Sequence, residues 1–403
     1  MHFNNFFNTA DTKRFYFPGK IISGENCIEK FSDFIEINKE NSLWIFIDSF
    51  FKNDQRVLRL LNKVKNCNLL ITYLNGKPQT EDVINFHKTN NKNPDFIVSI
   101  GGGSVTDFAK TILASCIFPT IESININNNY LKQKKDKPLF ISIPTTAGSG
   151  AEASKYYVVY NKINNKKCYG KDWNLISDYI FLDPLFLKNL PIDTLTECAF
   201  DVFIHLFESG ICKYEKSNFG LMMTLFAIPK VMYALENIIF KNRKDENYFL
   251  DLLESSTIGG IAISNVRTGN IHEAAGALFE KSTLNHPQTL FVFFKNAINQ
   301  YKKNILTFEK TLVYHLNQLD FKIEFKNIDN IIEWWEIIFN NADITQNIKS
   351  KMINEIEDRK SLEKYIYDRV NNDSVWNDKE SPSLNSSSDI KKYIKNSINQ
   401  FLD

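Results

Sequence analysis

Residues 94–110 read PDFIVSIGGGSVTDFAK. An apolar, β-branched run stops on three glycines, and a helix-like segment follows at once. Strand, glycine turn, helix is the unit from which phosphate-binding α/β domains are built. Gly101, Gly102 and Gly103 carry no Cβ, so backbone N–H groups there can approach a pyrophosphate closely. Ser104 can cap the helix, whose N-terminus favours an anion. The spacing is not GxGxxG, so this is not the common dinucleotide fingerprint. Taken alone, the glycines are read equally well as a tight turn.

Working outward, SLWIFIDSF (42–50), NLLITYLN (68–75) and PLFISIPTT (138–146) are further β-rich runs, with helix-like spacing over 53–66 and 81–92. This alternation predicts a doubly wound parallel sheet, whose ligands bind at the carboxyl ends of strands. Asp48, Gly101–Gly103 and the loop 145–150 all fall at such ends. Asp48 can accept from a ribose 2′-hydroxyl, or serve as an ordinary cap. IPTTAGSGAEAS (143–154) is a second glycine loop, with small and hydroxyl side chains suited to close contact.

Beyond Asp183-Pro184 the apolar residues recur at helical spacing, and Pro229 is expected to kink one of these helices. The expected division is an α/β domain over 1–184 and a helical domain over 185–403, with a polar loop at 381–389 before a last helix. The 403 residues carry a formal net charge of +1. That balance gives no long-range field for nucleic acid or an anionic membrane. No run of 18 consecutive apolar residues suggests a membrane span. The N-terminus does not read as a signal peptide. Six dispersed cysteines without a CxxC pair suit a reducing cytoplasm.

Three of the six histidines join one aspartate in a suggestive pattern. Asp201 and His205 are four apart on one helix face. His272 and His286 follow in later helical segments. One carboxylate and three imidazoles can bind Fe2+ or Zn2+, and such an ion polarises an alcohol oxygen. Each histidine taken singly is read as readily as a hydrogen-bonded side chain. Glu208 lies on the same face, either holding a ligand imidazole or solvated. His2, His87 and His315 fit no cluster.

These residues add up to a resemblance. RFYFPGKIISGENCIEKF (14–31), GGGSVTDFAK (101–110), IPTTAGSGAEAS (143–154), FLDPLFLKNLP (181–191) and FDVFIHLFES (200–209) resemble, in order, segments of the iron-containing alcohol dehydrogenases. The resemblance implies an α/β nucleotide-binding domain followed by an all-α metal-binding domain, the fold shared with dehydroquinate synthase. It implies a metal held by Asp201, His205, His272 and His286, which form the catalytic centre. It implies NAD, with NADP allowed, held by Asp48, Gly101, Gly102, Gly103, Ser104, Asp107, Thr145, Thr146 and Ser149. Asp48 matches the position that favours NAD. The implied reaction is hydride transfer between nicotinamide and a small alcohol or aldehyde, without nucleic acid or membrane partners, and a homodimer is compatible with it. Two departures stand out. Gly276 replaces the second histidine of a common H-x-x-x-H, and Pro287 follows the last ligand where glycine is usual. A dehydroquinate-synthase-like lyase and a non-catalytic nucleotide-binding relative remain as alternatives.

Overall fold

The apolar runs form β2 (Ser42–Asp48), β3 (Asn68–Leu74), β4 (Phe96–Gly101) and β5 (Leu139–Pro144). Two four-residue strands, β1 (Lys20–Ser23) and β8 (Tyr179–Leu182), complete a six-stranded parallel sheet in the order β1-β8-β5-β4-β2-β3. The computed structural model describes residues 15–90, 92–117, 137–161, 167–212, 217–241, 245–371 and 387–402. The N-terminal segment judged for a signal peptide lies outside them through residue 14, as does 381–386 of the expected polar loop.

Register places the strand ends together. Ile47 is level with Ile100, and Gly101 with Pro144. Asp48, the glycine turn and the 145–150 loop therefore leave the sheet at one end. The helices of this part are α1 (Phe31–Phe34), α2 (Gln55–Val64), α3 (Thr80–Thr89) and α4 (Gly103–Ile117). The helix α4 is buried on most sides, with Phe108, Ile112 and Leu113 in a core shared with Phe46, Ile97 and Phe140. A hairpin of β6 (Tyr156–Tyr160) and β7 (Lys167–Lys171) forms a separate antiparallel sheet.

The chain divides into two compact units: Phe17–Leu190 with Arg243–Ser264, and Pro191–Asn242 with Asn265–Asp403 and Met1–Tyr16. This differs from a single boundary at 184/185. The transition falls at 190/191, and most of a helix from the second half, α7 (Glu246–Val266), belongs with the sheet. Its reason is a close backbone approach. A Cβ on Gly260 would overlap the Gly150 carbonyl oxygen, and one on Gly150 would overlap that of Ser256. Gly150 also holds φ at 57°, which suits glycine. Thr257 donates to Glu152, and the Lys155 N–H donates to Ser264, fixing α7 along the loop.

The second unit is helical: α5 (Ile192–Ile211), α6 (Asn218–Phe240), α8 (Asn270–Phe279), α9 (His286–Tyr301), α10 (Leu306–Leu316), α11 (Ile328–Asn341), α12 (Ile344–Glu355), α13 (Arg359–Asn371) and α14 (Ser387–Leu402). Pro229 lies inside α6, which continues through it as one helix. By length and composition α6 could cross a membrane, but 67% of its most apolar window is buried, as in a core helix. The centre of the unit is aromatic. Phe200 of α5 sits edge-on to Phe291, Phe294, Trp335 and Phe339 at centroid distances of 4.9–5.5 Å. Edge-to-face rings at this range add roughly 0.5–1.5 kcal/mol each beyond area burial. They hold α5 firmly by one face and leave another face for polar work.

Candidate metal centre and nucleotide loops

Helix α5 carries Glu197, Asp201, His205 and Glu208 at spacings of four, four and three, a single stripe along the helix. Asp201 and His205 are each 5% exposed, and Glu208 is 3% exposed. Three imidazole Nε2 atoms converge on one oxygen: His205, His272 and His286 stand 3.7, 3.7 and 3.8 Å from Asp201 Oδ1. These separations are too long for hydrogen bonds. They lie close to the roughly 3.4 Å between neighbouring ligands of a tetrahedral ion bound at about 2.1 Å. Asp201, His272 and His286 form the tightest group, with ligand atoms all within 4.8 Å of one another. His205 joins through Asp201, and its ring stacks on His272 at 4.7 Å.

Asp201 Oδ1 and His272 Nε2 are buried without a hydrogen-bond partner. A buried carboxylate oxygen left in that state costs several kcal/mol. Burial alone would raise the Asp201 carboxyl, but His205, His272 and His286 outweigh it and hold the group far below the usual range. Burial pushes His272 down, yet Glu208 and Asp201 raise it to about 9, as befits an imidazole facing negative charge. An ionised carboxylate and inward-facing imidazole nitrogens fit a divalent cation.

Glu208 does not face solvent. Its Oε2 meets His272 Nδ1 at 2.6 Å, so Nδ1 keeps its proton and Nε2 is the nitrogen that would give up its proton and turn a lone pair to a bound cation. The same carboxylate accepts from the N–H groups of Gly269 (2.8 Å) and Ile271 (2.7 Å), at the start of α8. An anion is favourable there. A Cβ on Gly269 would lie 2.8 Å from Glu208 Oε1, so glycine lets the carboxylate in. His286 opens α9 behind an Asn285 cap, with Pro287 in the first turn, where no N–H is needed. Gly276, one turn after His272, has nothing within 4 Å of its would-be Cβ. Close packing therefore does not explain that glycine.

In the sheet unit the glycine turn has a role that sequence reading missed. A Cβ on Gly102 would lie 2.9 Å from Thr146 Oγ1, and one on Gly103 would lie 2.6 Å from Ser149 Oγ. The missing side chains make room for the second loop, whose Thr146 and Ser149 pack directly on the first. Thr145 is buried, and its N–H donates to the Gly101 carbonyl. The helix α4 begins at Gly103, and the Gly102 carbonyl accepts its first N–H groups, so Ser104 lies inside the helix and is not its cap. Ser104 is exposed at the helix start.

Asp48 accepts from the Phe50 N–H at 3.0 Å, capping a short 3-10 turn, and its Cβ adjoins Gly101. Asp107 turns to the β6 hairpin and accepts from the Val158 N–H at 3.1 Å, a structural tie. Lys110, fully buried, donates to the carbonyls of Ser154 (2.6 Å) and Tyr156 (2.8 Å). A cavity of about 460 Å3 opens beside the turn, lined by Thr72, Asn75, Gly76, Lys77, Ser104 and Phe108. Its size is in the range of small-ligand sites. Asn75 and Gly76 follow directly on β3.

The fold and this constellation define a class: a parallel α/β unit joined to a helical unit that presents one aspartate and three histidines. Residues 18–184 match the family model described as iron-containing alcohol dehydrogenase. It is 27% identical over 232 residues to 4-hydroxybutyrate dehydrogenase of Clostridium kluyveri, covering 56% of this chain and 60% of that one. It is 29% identical over 191 residues to an aldehyde-alcohol dehydrogenase of Streptococcus pneumoniae, covering 45% of this chain and 21% of that one. The chain thus spans less than two thirds of these relatives. The iron-containing alcohol dehydrogenase of Thermococcus thioreducens shares the fold with a TM-score of 0.80 at 20% identity, over 96% of this chain and 100% of that one. The sulfoacetaldehyde reductase of Bifidobacterium kashiwanohense, solved with NAD+, gives 0.78 at 17%, over 95% and 98%.

Proposed function

We propose that the protein is a metal-dependent oxidoreductase that moves hydride between NAD(H) and a primary alcohol or aldehyde, or a similar small carbonyl compound. The observation that carries this reading is the convergence of three imidazoles on the orphaned Asp201 Oδ1. Asp201, His205, His272 and His286 would hold Fe2+ or Zn2+, since this donor set suits both. Bound there, the ion would supply Lewis-acid polarisation of the substrate oxygen. Glu208 fixes the His272 tautomer, and the aromatic face of α5 keeps the cluster rigid. The family-model match over residues 18–184, with relatives named for 4-hydroxybutyrate and sulfoacetaldehyde, supports a small functionalised aldehyde as substrate.

In the sheet unit, Gly101–Ser104 and the 145–150 loop would receive the dinucleotide, with pyrophosphate at the start of α4. Asp48 would repel a 2′-phosphate, which favours NAD. Asp48→Gly should then ease NADPH use by about tenfold or less, from a like-charge repulsion of about 1 kcal/mol near water. A wild-type protein that prefers NADPH would remove that role. The activity itself is tested by anaerobic purification with metal analysis, then a panel of aldehydes with NADH and NADPH. Stoichiometric NADH consumption supports the reading. A reaction that leaves the nucleotide pool unchanged would instead indicate lyase chemistry.

A further inference from the structure

Glu197 lies one turn before Asp201 on α5. Its carboxylate accepts from Asn285 Nδ2 at 2.6 Å and from Gln288 Nε2 at 2.7 Å. Those two amides also form a reciprocal capping box. Asn285 Oδ1 accepts the Gln288 N–H at 3.0 Å, and Gln288 Oε1 accepts the Asn285 N–H at 3.2 Å. Each amide spends its oxygen on the α9 backbone and its NH2 on Glu197. Between them in the chain stands His286, the first residue of α9. The first turn of α9 is thereby tied to α5, the helix that supplies Asp201.

We propose that Glu197 is a positioning residue of the metal centre, and that it sets where the His286 ring arrives by locking the α9 N-terminus onto α5. This rests on the metal reading above. The two ends of the α5 stripe then act alike: Glu208 seats the start of α8 and His272, and Glu197 seats the start of α9 and His286. An acceptor-only group is required at 197, because both partners present N–H. Glutamine there has the same size but turns an NH2 toward a donor.

The test uses three full-length variants: E197Q, Q288E, and the double variant E197Q/Q288E. The double variant exchanges the amide and the carboxylate. The amide now on α5 can donate to the carboxylate now on α9 and accept from Asn285. That carboxylate also keeps the capping box, a role glutamate fills well. Zn2+ affinity is measured by chelator competition, Co2+ loading is followed by visible absorption, and melting temperatures are taken without metal. E197Q should weaken Zn2+ binding by about tenfold or more, the usual effect of losing an outer support, and alter the Co2+ spectrum. Q288E should also weaken binding, and the double variant should recover most of the loss. If E197Q melts lower but binds Zn2+ like wild type, or the double variant binds no better than the worse single one, the inference fails while the metal reading stands. A wild-type protein that binds neither ion overturns both.

Discussion

The two halves of this protein make their candidate sites from different material. In the sheet unit the site is backbone: Gly101–Gly103 and the 145–150 loop interlock because side chains are missing, with Thr146 seated over Gly102 and Ser149 over Gly103. In the helical unit it is side chain: one stripe on α5 gathers two imidazoles from other helices onto Asp201. A backbone site fails when bulk is added. A side-chain site fails when a donor or acceptor is removed. The same lesson explains why substitutions in the two places should separate, one affecting nucleotide binding and the other the metal.

The largest effect is expected at the side-chain site. His205→Ala should lower metal content and abolish turnover, with nucleotide binding retained; fluorescence titration with NADH alongside metal analysis reads both. Loss of NADH binding at normal metal content would collapse the distinction. Next comes Gly102→Val. Its Cβ would meet Thr146 at 2.9 Å, so the variant should displace the second loop. Overpacking of this kind costs roughly 1–3 kcal/mol. NADH affinity should fall and Zn2+ affinity should hold, by calorimetry on the same preparation. The smallest structural effect belongs to Gly276→His. Open space at that Cβ predicts little change in melting temperature, and the propensity term favours the variant by only ~0.3 kcal/mol. The substrate profile should move toward smaller compounds. A large drop in melting temperature with an unchanged profile would refute the view that Gly276 makes substrate room.

Much of this was legible in the sequence. The long runs at 42–50, 94–103 and 138–146 fold as the inner strands β2, β4 and β5, because buried parallel strands are continuous apolar runs, and the run at 68–75 folds as the edge strand β3. The strands β1 and β8 are four residues each and carry no such signal. Helical periodicity identifies α7 but not its neighbour; the Gly259-Gly260 pair inside it was the trace of its contact with Gly150. Asp201, His205, His272 and His286 were found by spacing and family pattern, and the structure brings them together. Glu208 could not be decided from spacing alone, since both a solvated and a buried carboxylate fit one face. Glu197 was missed, although Asn285 followed by Gln288 is a capping-box signature that marks the start of α9. Ser104 was misread as the helix cap because a motif shows which residues recur, not where the helix begins.

The central claim is one divalent ion held by four named side chains. Anomalous diffraction from crystals of anaerobically purified, metal-loaded protein tests it most directly. The account predicts a single strong peak per chain at ~2.0–2.2 Å from Asp201 Oδ1 and from Nε2 of His205, His272 and His286. An ion bound elsewhere, or a peak that leaves Asp201 out of its coordination shell, would contradict it.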